Sequence, residues 1–203
     1  MATKNTQAIS PVGKTLWATL NKPDTKFNEA GIYSVKLEFT GDDAQKLSAF
    51  LDTKLQESIA EAKKENVGKK IKEASAPYEW TDDNTIVVNF KMKASGLKKS
   101  GEPWSRKPAL FDAKGKPLVG EVRVGQGSLL AVSYEPSLFY TSLIGAGVSL
   151  RLNAVQIVKL VEYVGGANNP GFGEHEGGYE AEETTSSPFT DKAEDQPTDG
   201  ADF

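Results

Sequence analysis

The composition of the chain changes abruptly at Gly165-Gly166, and that break decides which residues can fold. Residues 165–203 are rich in Gly, Pro, Ser, Thr and carboxylates and poor in aliphatic side chains. Such a segment cannot bury enough apolar surface to offset the entropy of ordering it. It is expected to be a disordered tail, with residues 1–164 as the folded body. Charge divides at the same place. The tail holds ten acidic residues and one basic residue, Lys192, net −9. Of the 24 Lys+Arg and 28 Asp+Glu in the chain, the body keeps 23 and 18, net +5. The overall −4 therefore conceals a basic body joined to an acidic appendage.

Strand patterns dominate the body. Tyr33, Val35, Leu37 and Phe39 alternate with Ser34, Lys36 and Glu38, the period of a half-buried strand. Ile86, Val88, Phe90 and Met92 alternate in the same way, with Val87, Asn89, Lys91 and Lys93 on the other face. Further strands are expected at 16–20, ended by a turn at NKPD (21–24), and at 109–111, 118–119, 121–124, 128–134 and 148–161. DAKGK at 112–116 reads as a turn, and so does Asp82-Asp83-Asn84. One helix is expected from Asp42 to about Gly68. Asp42 is its expected cap with Gln45 as reciprocal partner, and Leu47, Leu51, Leu55, Ile59 and Ala62 form its apolar stripe. The expected fold is mainly β: an OB-fold-like five-stranded barrel with one inserted helix and a disordered acidic C-terminal tail.

Several chemistries lack their residues. There is no cysteine, which excludes disulfides and thiolate metal sites. The single histidine, His175, lies between Glu174 and Glu176 in the tail, a poor platform for catalysis or metal binding. No phosphate-cradling glycine loop or nucleophile elbow is present, and Gly125-Gln126-Gly127 and Gly145-Ala146-Gly147 read as turns or bulges. The expectation is a binding protein with no cofactor. No apolar run reaches membrane-spanning length, so no membrane partner is expected.

What remains is a pattern of bases and aromatics. Lys63, Lys64, Lys69, Lys70 and Lys72 cluster at the end of the helix. Lys91, Lys93, Lys98, Lys99, Arg106 and Lys107 follow, with Trp104 among them in a polar loop. Lysines attract a phosphate backbone and aromatic rings stack on unpaired bases. Phe39, Phe90 and Phe111 fit the apolar sides of their strands and are assigned to the core. In SYEPSLFYTS, Tyr134, Phe139 and Tyr140 gather around a proline in an expected strand-to-strand connection. Phe139 and Tyr140 are adjacent, so one can pack inward while the other faces a ligand. DGADF has two readings: a chance terminus, or a portable ligand in which Asp199 and Asp202 supply charge for steering and Phe203 an anchor for a partner's pocket.

The order NKPD, GIYSVKLEF, FDAKGKPL, GQGSLLAVSYEPSLFY, GAGVSLRLNAVQIVKLVEY and an acidic tail ending in DF resembles the replication single-stranded DNA-binding proteins of short-tailed coliphages, across nearly the whole chain. The resemblance implies an OB-fold body, homodimers, and binding and annealing of single strands in replication, recombination and repair. It implies a tail that contacts the phage DNA polymerase and primase-helicase, in the cytoplasm of the infected bacterial host. Carried over by position, Trp17 is an aromatic of the first strand and Lys69-Lys70 a basic pair beyond the helix. Phe139 or Tyr140 stands at a DNA-contacting aromatic, and Phe203 is the terminal aromatic. The chain departs from the pattern at Ala131 and Ser133, where relatives carry lysines, and at Val67, where they carry arginine.

Two other readings compete with this one. One is a β-rich phage structural or interaction protein whose basic face is merely solvated. The other, a nuclease, lacks a set of fixed carboxylates.

Overall fold

A computed structural model describes residues 7–26, 28–82 and 84–162. Asp83 and the tail, with His175, Asp199, Asp202 and Phe203, lie outside the described residues. In chain order the elements begin with β1 (Ala8–Ile9), β2 (Gly13–Asp24), β3 (Ile32–Thr40), α1 (Gly41–Glu65), β4 (Tyr78–Asp82) and β5 (Thr85–Lys93). There follow β6 (Ser95–Leu97), β7 (Pro103–Ser105), β8 (Ala109–Phe111), β9 (Leu129–Thr141) and β10 (Gly145–Lys159).

Five of these strands close a hydrogen-bonded ring. β2 pairs antiparallel with β3, β3 with β5, β10 with β9, and β9 with β2, while β5 meets β10 in parallel at Lys91–Arg151. The protein is therefore mainly β, a five-strand barrel with one helix, as the alternation implies. Inward positions form the core: Val35, Leu37, Phe39, Ile86, Val88, Phe90, Leu130, Val132, Leu152 and Val155 are all at most 2% exposed. Phe111 is half-buried on β8, which adds to β10 in parallel.

α1 packs against β3, β5, β9 and β10 through the predicted stripe, of which Leu47, Leu51, Ile59 and Ala62 are buried and Leu55 half-buried. Its start differs from expectation. The chain turns at Gly41 (φ 64°), whose N–H donates to the Asn84 carbonyl at 2.9 Å, and Thr40 is the N-cap without a side-chain bond. Asp42 and Asp43 lie in the first turn instead, where a carboxylate opposes the positive end of the helix dipole.

Four other expectations are corrected. NKPD is no turn; β2 runs through it to Asp24. Pairing with β3 lapses between Thr19 and Asp24, and Asn21 donates to the Val122 carbonyl at 2.9 Å instead. SYEPSLFYTS is no connection: its first nine residues, 133–141, belong to β9 and run to the end of that strand. Pro136 is tolerated there because β1 pairs with β9 only as far as Tyr134, leaving one strand neighbour beyond it. Residues 121–124 form no strand and keep only the bridge Val124–Glu162. Residues 118–119 form none either; Leu118 donates to the Leu110 carbonyl, and Val119 is fully exposed. The DAKGK turn is present, with Asp112 Oδ1 accepting from the Lys114 and Lys116 N–H groups. Strand β4 and the hairpin β6–β7 went unpredicted.

Candidate nucleic-acid interface

The outward faces of β2, β3 and β5 form one continuous surface. A register shift at Leu16 inserts one extra residue in β2, which turns Trp17 outward opposite Lys36. Lys36 in turn pairs with Asn89, so one row crosses three strands as Trp17, Lys36 and Asn89. The next row runs Thr19, Ser34, Lys91, Arg151 and Glu135. Arg151 Nη1 lies 3.8 Å from Glu135 Oε1 at the far end of it. Lys93 pairs with Ile32 one row further on. The surface thus offers an aromatic ring, three lysines and an arginine.

Trp17 is 66% exposed. Its Nε1 donates to Thr19 Oγ1 at 3.0 Å, which fixes the indole along the strand and leaves its ring open. It stands on the rim of a groove of about 580 Å³ between β2 and residues 121–126. On the other side, a depression of about 250 Å³ beside Lys36 and Asn89 is walled by β4 and residues 76–77. In β4, Tyr78 donates to Asp52 Oδ1 at 2.8 Å and meets Trp80 edge-on at 6.2 Å. Burial raises the Tyr78 phenol pKa, and the Asp52 carboxylate adds to the shift.

Trp104, Arg106 and Lys107 adjoin this surface at the Lys93 end. The Trp104 ring packs on its cross-strand partner Gly96, where a Cβ would fall 2.7 Å from Cζ2. The Arg106 guanidinium lies 4.9 Å from the ring centroid, and its Nε donates to the Lys93 carbonyl at 3.1 Å. Trp104 is thus half-buried within its own hairpin, a support that the polar loop around it concealed.

The remaining candidates sit elsewhere. Phe139 and Tyr140 lie on β9 near the Thr85 end of the ring, since Phe139 pairs with Gly147, four residues before Arg151. Phe139 packs over Gly147, and Tyr140 packs beside Ile59, Ala62 and Ala146. Both rings are half-buried, so both are partly committed to packing. Lys69 and Lys70 follow the helix beyond Gly68 (φ 82°) and are exposed in the same region. The aromatic Tyr134 is core: it is 1% exposed, tilted against Phe90 at 4.9 Å, and burial pushes its phenol up to about 12.

The family model described as "Single-stranded DNA-binding protein, Bacteriophage T7" matches residues 13–160. The chain belongs to this family. Its members are binding proteins and not enzymes. The single-stranded DNA-binding protein of Enterobacteria phage T3 is 32% identical over 139 residues, 64% of this chain and 60% of that protein. That of Escherichia phage T7 is 32% identical over 111 residues, 54% of this chain and 48% of that protein. The matches therefore span about half to three fifths of these relatives. The crystal structure of gp2.5, a single-stranded DNA-binding protein encoded by bacteriophage T7, superimposes with a TM-score of 0.71 at 27% identity, covering 87% of this chain and 98% of that one. A single-stranded DNA-binding protein from bacteriophage Enc34, solved in complex with single-stranded DNA, has the same fold: TM-score 0.55, 15% identity, 80% of this chain and 91% of that one.

Of the candidates named from sequence, the family fold brings Trp17, Lys91 and Lys93 onto one face, with Trp104, Arg106 and Lys107 at its end. It sets Lys69, Lys70, Phe139 and Tyr140 apart. Lys36 and Arg151, which share this face, were not among those candidates. Lys36 occupies the outward parity of the 33–39 alternation, the same signal that exposed Lys91 and Lys93. Arg151 became visible only through its pairing with Lys91.

Proposed function

We propose that the chain binds single-stranded DNA without sequence preference across the outward face of β2, β3 and β5. The observation that carries this is Trp17, two-thirds exposed on a sheet face and paired with a lysine. A lone exposed indole gains nothing from the fold, whereas an unpaired base stacks on it and lysines beside it hold the phosphates. Lys36, Lys91, Lys93 and Arg151 supply the charge, and Trp104, Arg106 and Lys107 extend the track. Lys69, Lys70 and Phe139 or Tyr140 form a second contact near the end of α1. Membership of a phage single-stranded DNA-binding family supports the reading.

The domain division belongs to the same proposal: residues 1–164 bind DNA as a homodimer in replication, recombination and repair, in the cytoplasm of the infected host. Residues 165–203, at net −9, compete with DNA for the basic face. Once displaced, the tail offers Asp199, Asp202 and Phe203 to the phage DNA polymerase and primase-helicase.

Titration of oligo-dT and a duplex of equal length, at two salt concentrations, tests this with the intact chain and a chain stopped after Val164. Salt-sensitive preference for the single strand, tightened by truncation, is expected. No binding by either form would refute the reading; unchanged affinity on truncation would refute the competition.

A further inference from the structure

The groove of about 580 Å³ beside Trp17 lies within the size range of sites that enclose a small organic ligand. Its near wall is β2 from Leu16 to Lys22 and its far wall residues 121–126. Leu16, Ala18, Val122 and Val124 give it an apolar lining, and Lys22 and Arg123 stand on either wall. The two walls are tied together by Asn21, whose Nδ2 donates to the Val122 carbonyl at 2.9 Å. That bond fixes the amide, since the reverse orientation would set two oxygens against each other. Trp17, 66% exposed, lines the same groove, so a ring open to stacking and an apolar slot adjoin each other.

We infer that this groove is a nucleobase subsite: one base of the bound strand leaves the stack at Trp17 and enters between β2 and residues 121–126. A base has the required chemistry. Its faces are apolar and flat, suiting Leu16, Val122 and Val124, and its polar edge stays at the open mouth of the groove. Lys22 and Arg123 bracket the entrance, where the phosphates on either side of an inserted nucleotide lie. Because all four bases have such faces, the subsite tolerates any sequence. The inference rests on the binding reading above and specifies where one base goes.

The test uses the full-length chain and oligo-dT carrying 4-thiothymidine, with crosslinked peptides identified by mass spectrometry. Crosslinks within residues 121–126, together with those at Trp17, are the expected result. A second measurement fills the groove with Val122→Trp, after thermal melting has confirmed that the variant folds. It should bind oligo-dT roughly tenfold more weakly, the loss expected for one base contact. It should also lose less than the parent when an abasic site replaces one thymidine. If Val122→Trp does not fold, the crosslink map on the parent chain decides alone. Oligo-dT binding with crosslinks on β3 and β5 but none within 121–126 would overturn the subsite and leave the binding function standing. No binding of oligo-dT at all would overturn the function itself.

Discussion

Trp17 and Lys36 face each other across the β2–β3 ladder, and they do so only because Leu16 is an extra residue in the strand. One step earlier, Thr15 pairs with Leu37 and both are buried. Without the bulge the two strands would keep that register and Trp17 would have Val35, a core residue, as its partner. The bulge therefore sets an exposed ring beside a lysine on the same outward face.

Trp17→Ala tests that relationship directly. The side chain is 66% exposed, so its loss should shift the melting temperature little. Affinity for oligo-dT should fall about tenfold, within the roughly 1–3 kcal/mol of one stacked base. Fluorescence anisotropy and thermal melting on the same sample separate the two effects. A variant that binds normally would remove Trp17 from the interface.

The lysines should be visible in the salt dependence. If Lys91 neutralises one phosphate, Lys91→Gln should reduce the magnitude of the log–log salt slope by about 0.7. Lys36→Gln should do the same. Lys46→Gln, on the exposed side of α1, is the comparison and should leave the slope unchanged. Equal slopes for all three variants would place the strand elsewhere.

The parts of the fold legible in the sequence are those with an unbroken local period. β3 alternates along its length and β5 does so from Val88 to Lys93, so Lys91 and Lys93 were read correctly as outward, whereas Val87, on the same parity, is buried. β2 and β9 were misread for one reason. Each carries a proline in a run with turn chemistry, Pro23 and Pro136, and local signals favour a break there. The chain continues because neighbours elsewhere take over: Val122 accepts from Asn21, and β10 pairs with β9 on both sides of Pro136. The site was legible in the same proportion. Parity exposes a lysine on a strand, but that Arg151 joins Lys91 or that Trp104 leans on Gly96 depends on pairings between distant residues. A count of lysines and aromatics therefore named residues at both ends of the barrel as one site.

Gly147 separates structure from binding at Phe139. A Cβ at Gly147 would fall 2.6 Å from Phe139 Cζ and 2.7 Å from the Cβ of Ala74. The phenyl ring can move, but Ala74 is held by its N–H donating to the Ala146 carbonyl at 2.8 Å. Gly147→Ala should destabilise the body by about 1–3 kcal/mol in urea unfolding. Adding Phe139→Leu should restore only part of the loss, because the clash with Ala74 persists. Full restoration would show that the phenyl ring alone crowds this position.

Alkaline pH should reveal the burial of Tyr134. Its phenol has an ordinary pKa of 10.0 and is pushed up to about 12 in the fold by burial. Above pH 10 the unfolded chain ionises this group while the folded barrel, with the ring against Phe90, keeps it neutral. Its contribution is therefore fully present below pH 10 and is lost as pH rises from 10 to about 12. The total is roughly 2–3 kcal/mol. Tyr134→Phe keeps the ring and removes the titration. The informative quantity is the difference between parent and variant. Urea unfolding at pH 8, 10 and 11 should show the parent losing stability faster than the variant. Parallel loss in both would mean that the phenol ionises in the folded barrel as readily as in the unfolded chain.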